Sequence, residues 1–198
     1  MVIDRKIRKG VIASLPEAKQ IRDQELRDKV YDAWAMALKD SGYSKIEEMP
    51  PSGNPSMQPL KKGSQTDHFR CVARVAAAIA REFNTNFGLN VDMDEVIAGA
   101  LCHDLGKPFE YANQERWKAN PGKAGNPSIR HPAYGVYIAL SAGLPETIAH
   151  IAGGHAIEGE IITRSVAGTI VSYADHAFWA ILTPEELKKA MKNWRSSI

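Results

Sequence analysis

Cysteine is scarce: Cys71 and Cys102 are the two in 198 residues, too few for a disulfide framework. No stretch approaches the ~20 consecutive apolar residues that a membrane-spanning helix needs. The opening run Met1-Val2-Ile3-Asp4-Arg5-Lys6 lacks the apolar core of a secretory signal. An excess of one charge is missing too. Against 25 basic residues stand 23 acidic ones, a net charge of +2, which argues against the basic stripe of a nucleic-acid-binding protein. Internal repeats, low-complexity tracts and alternating strand patterns are also absent. With 44% hydrophobic and 24% charged residues, the chain reads as one cytoplasmic globular domain, all-α, with enough length for a substantial core.

Helical spacing divides the chain. Ser14 and Glu17 read as the cap and its partner at a helix start. The apolar stripe Leu26, Val30, Trp34, Ala37 and Leu38 follows, and Gly42 ends it. Residues 44–64, with four prolines, read as an irregular connector that either lines the mouth of a site or joins two helices over the surface. A helix over about 65–84 puts His68, Val72, Val75 and Ile79 on one face. The next opens on the capping box Asp92 and Glu95 and delivers His103 and Asp104 at its C-terminal end, where Gly106 and Pro108 stop it. Residues 111–130 read as loop. Further helices are expected over 131–140, from 145 towards 153, and over about 162–182, and Thr183-Pro184-Glu185-Glu186 opens a last one. The division is an N-terminal helix and connector (1–63), a helical core (64–182) and a C-terminal helix (183–198).

What the chain does have is an ordered set of imidazoles and carboxylates: His68, His103-Asp104, His131, His155 and Asp175. Divalent transition metals prefer such donors, and these six exceed the four protein ligands that close a tetrahedral zinc site. Two metals sharing one carboxylate would use them all and leave positions open for water and substrate. His150 competes with His155. Five residues separate the two, so on one continuous helix they would not share a face, whereas the Gly153-Gly154 break lets His155 turn inward. His176 follows Asp175 and should point elsewhere, at most orienting a ligand from behind. Cys71 and Cys102 read as buried, inert thiols.

The run Ala100-Leu101-Cys102-His103-Asp104-Leu105-Gly106-Lys107-Pro108 resembles the signature of the HD-domain superfamily of metal-dependent phosphohydrolases. His68 and Asp175 complete that superfamily's His, His-Asp, Asp set. His131-Pro132-Ala133-Tyr134-Gly135 is similar to the His-Pro-x-x-Gly helix start of its two-metal members. The resemblance spans roughly residues 64–182. It implies a helical bundle around a metal site. One cation would sit on His68, His103, Asp104 and Asp175, and a second on His131, His155 and the other oxygen of Asp104. The cations would be two divalent transition metals drawn from Fe, Mn, Ni, Co or Zn, with iron favoured for a dinuclear pair.

The same resemblance implies hydrolysis of a phosphate ester or anhydride, of a nucleotide or small phosphorylated metabolite, by a hydroxide between the metals. Asp104 would be the bridge and Lys107 a fixed charge on substrate phosphate. Arg130, beside His131, is a second candidate for anion contact. Lys118 and Lys123 fall in a stretch that could close as a lid but read better as surface lysines. Two other readings stay open: a mixed-valence di-iron oxygenase acting on a small hydroxylated substrate, and a metal-binding regulatory module without turnover. The paired histidines and Gly-Tyr-Pro run of the superfamily's cyclic-dinucleotide phosphodiesterases are absent from residues 153–160, so that activity is not expected. The expected partner is a small phosphorylated molecule, with neither a nucleic-acid polymer nor a membrane; self-association into a homo-oligomer is left open.

Overall fold

Short polar side chains set where the long helices begin. Asp4 accepts from the Lys6 and Ile7 N–H groups at the head of α1 (Arg5–Ser14), and Asp23 does the same for α2 (Gln24–Asp40). Ser64 and Asp67 form a reciprocal capping box on α3 (Gln65–Phe87), and Asp92 caps α4 (Met93–Cys102). The structure, a computed structural model, describes residues 3–183; the helix expected from Thr183 onward lies outside the described residues. Three short helices follow α4: α5 (Lys107–Ala112), α6 (Gln114–Ala119) and α7 (Pro121–Ala124). Then come α8 (His131–Ser141), α9 (Glu146–Gly154) and α10 (Val166–Leu182). Short 3-10 turns at 16–20, 46–48 and 157–161 punctuate the order. Among the described residues there is no strand, so the all-α expectation holds. None of these helices is long and apolar enough to cross a membrane.

Two local expectations were wrong. Ser14 does not start a helix; it ends α1, and the second helix begins ten residues later, at Gln24 under the cap Asp23. The N-terminal region therefore holds two α-helices where one was expected. Pro16 opens a 3-10 turn, and Glu17, rather than closing a capping box, turns its buried carboxylate to Arg70 and Arg74 of α3. The second error concerns Pro108. It sits in the first turn of α5, where a missing N–H costs nothing, so it starts a helix instead of stopping one. The stretch 111–130 contains the end of α5 and all of α6 and α7.

Helix α4 is buried on every side: Val96 through Cys102 have almost no exposure. It packs against α2, α3, α9 and α10. Gly99 makes the α9 contact feasible, since a methyl there would lie 2.4 Å from Ile151 Cδ1. The N-terminal region is fastened to α4 at both ends. Asp94 accepts from the backbone N–H groups of Arg22 and Asp23. At the other end the Trp34 indole N–H donates to Leu101 O at 2.8 Å, and its ring packs on Phe69 with centroids 4.7 Å apart. Trp34 is fully buried, and truncating such a residue costs about 3–5 kcal/mol. Helix α2 thus braces the core at the point where His103 leaves it.

Candidate metal centre

Four donor atoms converge where α3, α4 and α10 meet. The Nε2 atoms of His68 and His103 stand 3.1 Å apart. Asp104 Oδ2 lies 3.1 Å from the first and 3.0 Å from the second. Asp175 Oδ1 is 3.3 Å from His68 Nε2 and 3.6 Å from His103 Nε2. Bonds of about 2.1 Å to a common cation put neighbouring donors about 3.0–3.4 Å apart, so the observed edges suit a metal polyhedron. Asp104 Oδ1 and Asp175 Oδ1 are buried with no hydrogen-bond partner. An unpaired buried polar group costs about 1–3 kcal/mol, and more when charged, which a cation would offset.

The electrostatics point the same way. Burial presses the His68 imidazole down to about 4. Burial would lower His103 as well, but the Asp104 and Asp175 carboxylates outweigh it and lift that ring to about 10. Against burial that would raise them, Lys107 and His103 hold the Asp104 carboxyl far below its ordinary range, and His103 and His68 do the same for Asp175. Two ionised carboxylates are thus packed against imidazoles in a dry space. That environment favours positive charge at its centre.

A second group shares Asp104. Its Oδ1 lies 3.4 Å from His131 Nε2 and 3.4 Å from His155 Nε2, longer than a normal hydrogen bond. Each carboxylate oxygen of Asp104 therefore faces a different set of imidazoles. His103 Nδ1 donates to Ala100 O at 2.7 Å and His155 Nδ1 to Ala152 O at 2.9 Å. A carbonyl can only accept, so both rings carry the proton on Nδ1 and present Nε2 to the centre. His150 is used elsewhere: its Nε2 accepts from the Ser165 N–H at the head of α10. Of the two rivals, His155 is the one brought into the cluster.

The centre forms one side of an open cavity of about 350 Å³, lined by Asp104, Lys107, Arg130, His131, His155 and Asp175. Met57, Ile157 and Trp179 make its apolar side. Lys107 is 2% exposed, with Nζ 2.7 Å from Asp104 Oδ2 and 5.1 Å from the Trp179 ring centre. Arg130 lines the same wall and is gripped by Glu158, Nε to Oε1 at 2.8 Å. Lys118 stands in an adjoining groove shared with Asn54 and Arg130, and Lys123 lines neither. His176 borders the cavity with its Nδ1 tied to Ser172 O. The Pro-rich connector does reach the mouth. Gln65 donates to Pro50 O and Ser52 O, and the Tyr111 hydroxyl donates to Ser52 O, which holds Gly53, Asn54 and Met57 in the wall. Cys102 is buried beside the centre, and burial pushes its thiol up, so it is unreactive.

Sequence reasoning missed Glu110, which is 2% exposed and faces His131. The residue lay just beyond a helix thought to stop at Pro108. Its spacing of six from Asp104 was the available signal, and only the turn into α5 gives that spacing meaning. Gly106 brings α5 against α8 so closely that a methyl there would stand 1.9 Å from His131 O.

A curated relative from Methanocaldococcus jannaschii, a dihydroneopterin 2',3'-cyclic phosphate phosphodiesterase, is 31% identical over 167 residues. The match covers 81% of this chain but 65% of the relative, so the chain spans less than two thirds of that protein's length. No solved structure matches. Residues 66–178 match the HD domain family. That span holds every residue of the converging cluster, and the chain belongs to the HD domain family.

Proposed function

We propose that the chain is a metal-dependent phosphohydrolase that cleaves a phosphodiester of a small metabolite. The observation that carries the reading is Asp104, which turns one oxygen to each of two donor groups beside an open cavity. His68, His103, Asp104 and Asp175 would hold one divalent cation, and Asp104, His131 and His155 the other. Such a pair, when bound, supplies an acidified water and a clamp on the non-bridging phosphate oxygens.

The rest falls to side chains of the cavity. Lys107 is dry and locked against Asp104, a fixed positive charge at the edge where phosphate oxygens must come. Arg130 adds a guanidinium already oriented by Glu158. Trp179, Met57 and Ile157 offer an apolar face that would exclude water from the organic half of the ester. Hydrolysis of a cyclic diester adds water across one P–O bond and leaves a monoester. The M. jannaschii relative is named for that class of substrate, and a polar wall opposite an aromatic one suits it.

The test is a panel of cyclic and linear diesters, monoesters and anhydrides with protein loaded in turn with Fe, Mn, Ni, Co or Zn. Metal content and electron paramagnetic resonance are read on the same sample. Metal-dependent, chelator-sensitive cleavage of a diester is the expected result. A silent panel together with a mixed-valence di-iron signal discharged by substrate and O₂ would replace the hydrolase reading with an oxygenase. Lys107→Ala should keep both metals and lower turnover by about 10²–10³-fold, as for loss of a preorganised anion contact.

A further inference from the structure

We propose that Glu110 is a positioning residue that aims and charges His131 for the second donor group; this rests on the two-metal reading above. The reason lies in where His131 sits. His103 and His155 follow the C-terminal ends of α4 and α9, so each finds a carbonyl three residues back to take its Nδ1–H. His131 is the first residue of α8 and has no preceding helical turn to supply one. Its N–H is also one of the four donors that a helix start leaves unpaired, and its N-cap, Arg130, provides no side-chain bond.

Glu110 meets both needs from another helix. One oxygen, Oε2, accepts from His131 N at 2.7 Å and lies 2.5 Å from His131 Nδ1. The carboxylate therefore caps α8, where negative charge suits the helix dipole, and keeps the ring proton on Nδ1. Nε2 is then left facing Asp104 Oδ1. The same carboxylate oxygen thus takes both the backbone N–H and the ring Nδ1–H of His131. A carbonyl partner fixes only a tautomer, whereas an ionised partner also makes the imidazole a stronger donor. The group that gains this charge is the one with three protein donors rather than four.

Cobalt(II) titration followed by calorimetry tests the proposal. Glu110→Ala should weaken uptake of the second equivalent by about 10–100-fold and leave the first unchanged. Glu110→Gln keeps an oxygen to cap α8 but not the charge. It should melt like wild type yet still bind the second equivalent more weakly, which guards against a Glu110→Ala protein that does not fold. Equal weakening of both equivalents, or Glu110→Gln binding as wild type does, would overturn the proposal. Wild type that takes up fewer than two equivalents would overturn the two-metal reading instead. In that event long-range proton–nitrogen spectra of metal-free protein decide on Glu110. Nδ1 of His131 should be fixed as protonated in wild type and lose that fixed state in Glu110→Ala; an identical ring state in both would end the proposal.

Discussion

The two donor groups share Asp104 and are built by different means. The first is part of the core. His68 and Asp175 lie on the long helices α3 and α10, and His68 is ringed by Phe69, Phe178 and Trp179 with centroids 5.3, 4.6 and 4.8 Å away. Apolar packing holds His68, while His103 follows α4 with its ring tied to Ala100 O. The second stands at helix ends. His131 opens α8, His155 follows α9, and each depends on a hydrogen bond to hold its ring. It also faces the cavity. Asp104 and Asp175 border the same cavity, so under the two-metal proposal the groups would differ in how their rings are held and not in access to substrate.

The sharpest way to break the comparison is to remove what the groups have in common. Asp104→Ala should abolish metal uptake at both, measured as metal per chain after dialysis; retained full occupancy would sink the bridging role. His155→Ala separates them. It should lose mainly the second equivalent while the first stays bound, and loss of the first instead would erase the distinction. His150→Ala sharpens it from outside. Both metals should remain, and the lost acceptor for Ser165 N–H should cost only about 1 kcal/mol in denaturant unfolding.

The same contrast governs what could be read from the sequence. His68 was placed correctly because Val72 continues its face into the core, and periodicity reports such faces directly. His103 and Asp104 were legible as the end of an apolar helix. The sequence favours His155 over His150 for a break at Gly153-Gly154, yet α9 runs through both glycines; what takes up His150 is Ser165, fifteen residues further on. Glu110 was invisible for a related reason. Its partner is twenty-one residues away, and the Asn-, Gly- and Lys-rich stretch between them hid two short helices and the end of α5 behind a loop-like composition. Pro108 and Ser14 misled because each residue type serves both at a helix start and beside a helix end.

One contact sets the scale of the whole centre. At Gly106 the chain carrying Asp104 touches the backbone of α8 with no space for even a methyl. Asp104 and His131 are therefore brought together where main chain meets main chain, two residues beyond Asp104. If the chain turns over substrate as proposed, adjustment to it would fall to the apolar wall of Met57, Ile157 and Trp179 opposite.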